Sequence, residues 1–311
     1  MDNLKVSTLD NNIITISGSD LKKFVSGLRG EVLLKDHPQY DEVRKIWNGM
    51  IDKKPAIIVR CMGVSDIIDC INLASENNLL ISVRGGGHNI AGSAVCEAGL
   101  MIDLSLMRSV LVDPDKKTAN VSPGCLLGEV DHETQRFGLI VPAGIVTTTG
   151  AAGLTLGGGF GWTSRKFGLT CDNVISYDVV TSEGKFIKAS ENQNPELFWG
   201  LRGGGGNFGI VTNFEFKLHE LGPQVTAGMC FYPLKYARDV LNFFKVYCQE
   251  VPNAVTMICV LRCVPDAPAF PKSEVGKPMI VLGYCYSGPV EEGNKYAKPI
   301  GQIGKPYANM I

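Results

Sequence analysis

The stretch Val83-Arg84-Gly85-Gly86-Gly87-His88-Asn89-Ile90-Ala91-Gly92 decides how this chain is read. It follows Leu79, Leu80, Ile81 and Val83, an apolar, β-branched run that predicts a short buried strand. Three consecutive glycines then allow a sharp turn and a close approach of the backbone to a ligand. Successive uncovered N–H groups make an anion-binding nest, suited to a phosphate or pyrophosphate. Arg84 at the mouth adds a fixed positive charge, and His88 a nucleophilic imidazole. A loop of this kind points to a cofactor site. The competing reading is a glycine turn whose histidine caps a neighbouring strand.

Working outward, residues 56–59 read as a strand and 65–77 as an amphipathic helix. Ile67, Ile68, Ile71 and Ala74 form its apolar face, with Ser65 as N-cap. Strand, helix, strand is a parallel crossover unit whose second strand feeds the glycine loop. Ahead of it, Val43, Ile46, Trp47 and Met50 at helical spacing predict a helix over 41–50, ended by Pro55. Downstream come strands at 100–104, 110–112 and 118–121, then a helix over 126–137 closed by Gly138. Residues 147–161 predict neither helix nor strand: small and hydroxyl side chains dominate, as in backbone wrapped around a flat ligand. Leu154, Leu156, Phe160 and Trp162 are too apolar for a solvated linker.

Residues 174–181 and 186–189 read as a hairpin around Glu183-Gly184, and Asn194-Pro195 opens a short helix with Asn194 as N-cap. A glycine run and a strand over 210–218 follow. There Gly204, Gly206 and Gly209 match G-x-G-x-x-G literally. The dinucleotide fingerprint needs a strand before and a helix after, and this copy has the reverse order. A nicotinamide-binding fold is rejected on that ground. No Walker A sequence occurs, and no metal-ligand spacing is visible, so no metal is expected.

Past Gly222-Pro223 the character changes to a helix over 236–249, strands at 255–264 and 279–286, and a further helix from Glu291. That pattern predicts a second, α+β domain. The stop at Asn309-Met310-Ile311, with no terminal strand, reads as an interruption. The two strands would then present open edges that invite aggregation.

A chain of 311 residues with 45% hydrophobic and 20% charged residues is an ordinary globular composition, long enough for two domains. A net charge of -1 gives no electrostatic reason to expect nucleic acid or an anionic membrane as partner. The start lacks a secretory pattern, no apolar run reaches bilayer-spanning length, and the ten cysteines contain no C-x-x-C pair. Reduced core thiols and a cytoplasmic location are the expectation. Cys259 and Cys263 would face one another only on a helix, and their segment reads as strand.

Three ordered motifs now carry a resemblance: Arg84 to Asn89, the run from Thr149 to Trp162, and Arg202 to Val211. Together they resemble the FAD-linked oxidases, the vanillyl-alcohol oxidase or PCMH-type flavoproteins. The branch nearest in pattern holds 6-hydroxy-D-nicotine oxidase and berberine-bridge-like enzymes. The resemblance implies an α+β chain: a two-subdomain α/β PCMH-type FAD-binding domain over 51–221, then a partial α+β substrate domain over 222–311. Residues 1–50 are a lead-in.

Position by position, it implies that Arg84, Gly85, Gly86, Gly87, His88 and Asn89 form the pyrophosphate loop, with Ser93 just beyond. His88 matches the histidine joined covalently to the flavin 8α carbon. Thr149, Gly150, Gly153, Gly157, Gly158 and Gly161 match backbone contacts to diphosphate and ring, and Gly209 and Val211 the strand start against the cofactor. The berberine-bridge branch has a second, cysteinyl link, and Val146 stands at that position here; Cys125 and Cys171 lie elsewhere. One link is therefore expected. The family continues beyond the length of this chain, and no matching position supplies a catalytic base.

Three functions stay open on this reading. The favoured one is an FAD-dependent oxidase that takes a hydride from a C–H beside a hydroxyl or amine of a small molecule, with dioxygen (O2) as acceptor. The second is a noncovalent FAD reductase of the same fold, which His88 argues against. The third is a flavin-binding protein without turnover.

Overall fold

The strand predicted ahead of the glycine loop forms over Ile81–Arg84 in the computed structural model, which describes residues 1–310. It edges a first sheet whose order is Glu31–Leu33, Ile57–Arg60, Leu100–Asp103, Ile81–Arg84. The last three strands are parallel, and only Glu31–Leu33 runs antiparallel. The crossover helix is Val64–Glu76, with Ile67, Cys70, Ile71 and Ala74 buried. Leu100–Asp103 lies between the two strands that the helix connects. Hairpin Leu4–Ser7 and Ile13–Ile16 and helix Gly18–Gly27 add Val6, Ile16 and Leu21 to the same core.

The cap expected at Ser65 is corrected to Gly63, because the helix begins at Val64 and leaves Ser65 inside its first turn. Asp66 anchors that start instead. Its buried carboxylate accepts the N–H groups of Arg29, Gly30 and Met62 at 2.9, 3.1 and 2.8 Å.

The helix expected over 41–50 is also corrected: only Tyr40–Val43 is helical. The polar groups of the following residues are spent on the glycine loop. Trp47 N–H donates to the Gly87 carbonyl at 3.0 Å, and the Asn48 side-chain amide to the Ile90 carbonyl at 2.8 Å. Trp47 and Met50 are exposed, so the helical spacing there buries no common face.

The second sheet is antiparallel throughout, in the order Phe186–Ser190, Val174–Val180, Ile210–Lys217, Thr118–Val121, Val110–Asp113. Helices Leu127–Gln135 and Pro195–Leu201 accompany it, and Tyr177, Phe198, Phe214 and Phe216 fill its core. Val180 and Ile210, at the ends of two of its strands, enter the core of the first sheet and join the two units. Asn194 occupies the expected cap position in a left-handed conformation, but its side chain donates to the Lys188 carbonyl and leaves the helix uncapped. Within 147–161 the irregular reading is corrected by a six-residue helix, Ala151–Leu156. Burial of Ala151, Ala152 and Thr155 outweighs the poor propensity of its glycine and threonine.

A third sheet, also antiparallel, has the order Val255–Cys263, Pro278–Tyr286, Thr226–Pro233, Ala308–Met310. Helices Ala237–Glu250 and Val290–Ala297 flank it, and Tyr232, Val240, Tyr284 and Tyr286 are in the core there. The expectation of no terminal strand is corrected by Ala308–Met310, which pairs with Thr226–Pro233. Pro278–Tyr286 is interior, so of the two strands expected to be open only Val255–Cys263 is an edge. Ile311 lies outside the described residues.

All ten cysteines are free thiols, and Cys263 on the open edge is exposed rather than in a core. Among the described residues no helix is long and apolar enough to cross a membrane.

Candidate functional site

The glycine loop and the segment from Thr149 come together because neither carries a side chain where they cross. A Cβ on Gly86 would lie 2.4 Å from the Gly150 backbone, and one on Gly150 2.4 Å from Gly86 N. No L-residue with a side chain fits either position without moving a backbone. Leu126 and Gly150 form a single antiparallel bridge beside the crossing. Gly87 takes φ +71, the left-handed turn that sends His88 back across it.

Between the first and second sheets this crossing floors a cavity of about 710 Å³. That falls within the range of roughly 300–1,000 Å³ common for small-molecule sites. Gly85, Gly86, Gly87, His88, Asn89 and Ser93 line one side; Thr149, Gly150, Gly153 and Gly157 line another, and Gly209 and Val211 a third. Of the expected site residues, Arg84, Gly158 and Gly161 are not in the lining. The Arg84 guanidinium is turned away and donates to the Val43 carbonyl. Gly161 packs on the Ala143 carbonyl, where a Cβ would come within 1.8 Å.

The floor is rich in uncommitted donors. The backbone N–H groups of Gly85, Gly86, Gly87, His88 and Asn89 donate to no protein acceptor among the described residues. The same holds for Gly150, Ala152 and Gly153 at the start of the short helix. Gly87 and Gly150 are buried, Gly85, Gly86 and His88 half-buried and Asn89 and Gly153 exposed, and successive free N–H groups of this kind can cradle an anion. The donor set fits the pyrophosphate of a dinucleotide. The flat, small-residue walls fit its rings.

His88 is half-buried at the cavity margin, and burial pushes its imidazole below the usual range, which keeps it neutral near pH 7. The Thr149 hydroxyl lies 3.3 Å from Nδ1 and the Thr148 hydroxyl 3.4 Å from Nε2. The Trp47 indole stacks on the ring, with centroids 4.7 Å apart and planes 18° apart. Sequence reasoning missed Trp47 and Thr148. It also passed over Gly205, Gly206 and Asn207, which line the cavity. The last three were signalled by the glycine run, which a helix precedes and a strand follows, the reverse of the order the dinucleotide fingerprint needs.

The FAD binding domain family matches residues 55–190. An FAD-linked oxidoreductase of Dictyostelium discoideum is 34% identical over 294 residues, 94% of this chain and 61% of the relative. The (R)-6-hydroxynicotine oxidase of Paenarthrobacter nicotinovorans is 38% identical over 201 residues, 65% of this chain and 44% of the enzyme. The crystal structure of 6-hydroxy-D-nicotine oxidase from Arthrobacter nicotinovorans superposes with a TM-score of 0.82 at 30% identity, covering 90% of this chain and 60% of that one. Residues 55–190 match the FAD binding domain, and the chain is similar to an FAD-linked oxidoreductase along nearly its whole length. It spans about 60% of the length of such relatives.

Proposed function

We propose that this chain holds FAD in the cavity between its first two sheets, joins it through His88, and serves an oxidase that acts on a small molecule. The row of unpaired N–H groups at the cavity floor, with a neutral histidine at its margin, carries this reading. The N–H groups of 85–89 would take the pyrophosphate oxygens, and the small residues of 149–157 with Gly209 and Val211 would lie along the rings. When bound, FAD supplies two-electron acceptance at N5 from a C–H beside a hydroxyl or amine, and dioxygen reoxidises it to give hydrogen peroxide. The domain division that goes with this is a cofactor unit over 51–221, braced by 1–50, and a substrate-facing layer over 222–311. The two parts pack together: the Trp162 ring would meet a Cβ on Gly283 of the third sheet at 3.3 Å.

His88 contributes a nitrogen lone pair, which burial keeps available by disfavouring the cation. Were FAD held there, an N–C bond from the His88 imidazole to its 8α carbon would release the imidazole proton, one methyl proton and two electrons, which dioxygen would take up as hydrogen peroxide. Atoms and electrons balance with no other oxidant. The test is to load the chain with FAD and denature it in acid. Colour should stay with the polypeptide in wild type and leave it in His88→Ala. Oxygen uptake with peroxide release on alcohols, sugars or cyclic amines would accompany it. Flavin consumption of NADPH in place of those substrates would replace the oxidase reading with a reductase.

A further inference from the structure

We propose that Trp47 is a positioning residue for His88, its indole fixing the plane of the imidazole so that a ring nitrogen is presented to the cavity. The role rests on the His88–FAD link proposed above. Two hydroxyls reach the ring, but at 3.3 and 3.4 Å both bonds are long, and they touch it only at its edge. Edge contacts of that length leave rotation about the Cβ–Cγ bond cheap. Among the described residues the indole is the one aromatic ring stacked on a face of the imidazole, and at 4.7 Å and 18° it sets the ring plane.

Nothing in the core asks for a tryptophan here. Trp47 is 64% exposed and makes no other aromatic contact among the described residues, while the segment is already anchored by the Trp47 N–H on Gly87 and the Asn48 side chain on Ile90. Those anchors use the Trp47 N–H and the Asn48 amide, so the indole can be replaced without releasing the loop. An exposed apolar side chain that the fold does not need, laid against the one nucleophile of the site, is an orienting device. Attack on the 8α carbon demands alignment of the lone pair, and orientation of this kind governs rate steeply.

The experiment uses the full chain prepared without flavin. After FAD is added, samples are quenched in acid over time and protein-bound flavin is counted. Trp47→Ala should bind FAD as wild type does but couple it about tenfold or more slowly. Trp47→Phe, which keeps a ring, should recover most of the rate. In the flavin-free protein, the His88 ring-proton resonances should lie upfield under the indole and move to ordinary positions in Trp47→Ala but not in Trp47→Phe. Coupling by Trp47→Ala at the wild-type rate, or ring resonances that do not move, overturns the positioning role. Wild type that releases all its flavin overturns the covalent reading itself, and the positioning role with it; every variant would then release flavin alike.

Discussion

Two glycines of the site give opposite expectations on substitution. Gly86→Ala would place its Cβ 2.4 Å from the Gly150 backbone, against 3.4 Å for ordinary contact, so the two loops must separate. The expected result is a loss of about 2 kcal/mol in urea denaturation together with poor FAD retention. Gly153→Ala meets nothing within 4 Å and sits in a helix, so the fold should be unharmed. Weaker FAD binding by Gly153→Ala at unchanged stability, read by flavin fluorescence titration, would show the cofactor lying against that position. Equal stability of Gly86→Ala and wild type would refute the loop-crossing argument. These glycines were legible in the sequence because clustering of the smallest residue has few causes. Arg84 was legible as a residue but not in direction, because the acceptor that turns it, the Val43 carbonyl, is forty-one positions upstream. Asp66 was hidden in the same way: its three N–H partners come from two separate turns.

Among the elements, helix Ser164–Phe167 is short but ties the part of the chain built on the first two sheets to the third sheet. Arg165 donates to the carbonyls of Cys248, Val251 and Val255, the first two at the end of helix Ala237–Glu250. Helix C-termini leave their last carbonyls without partners and carry partial negative charge, so a guanidinium there is favoured twice. Lys166 adds a bond to the Ser287 carbonyl at 2.7 Å. Arg165→Ala should cost about 2 kcal/mol and raise hydrogen exchange in the last turn of Ala237–Glu250, with the first two sheets unaffected. Exchange that rises uniformly over the molecule would contradict this local role. Strong periodicity made helices Val64–Glu76 and Ala237–Glu250 and most strands readable, with ends displaced by a residue or two, while hairpin Leu4–Ser7 and Ile13–Ile16, helix Gly18–Gly27 and strands Glu31–Leu33 and Thr226–Pro233 were not anticipated. The elements misread were those decided by tertiary contact: 44–50, which spends its polar groups on the glycine loop, and Ala151–Leu156, which is helical because it is buried. The terminal strand Ala308–Met310 is three residues long, too short for any pattern to announce.

At the scale of the whole molecule, the pH dependence of stability follows from His219, which packs beside helix Ser164–Phe167. Its imidazole stacks on Phe167 at 4.3 Å, and Nε2 donates to the Asn173 side-chain oxygen at 2.6 Å. Burial first, then the positive charges of Lys217 and Lys166, hold its pKa below the model-compound value of 6.5. The folded state therefore binds fewer protons than the unfolded chain once pH drops toward that value. Stability from this site is fully present above about pH 6.5 and is lost as pH falls through the folded pKa. His88, lowered by burial, acts in the same direction. Lys166 also holds the Ser287 carbonyl, so a proton on His219 repels one of the groups that join the third sheet to the rest. Denaturant midpoints measured between pH 7.5 and 5 should fall with acidification, and His219→Gln should flatten that fall. Thermal unfolding should show the third sheet loosening first in wild type below pH 6.5 and not in the variant. A wild-type midpoint that stays constant over this window, or a His219→Gln variant that falls as steeply, would show that the imidazole does not titrate between the two states.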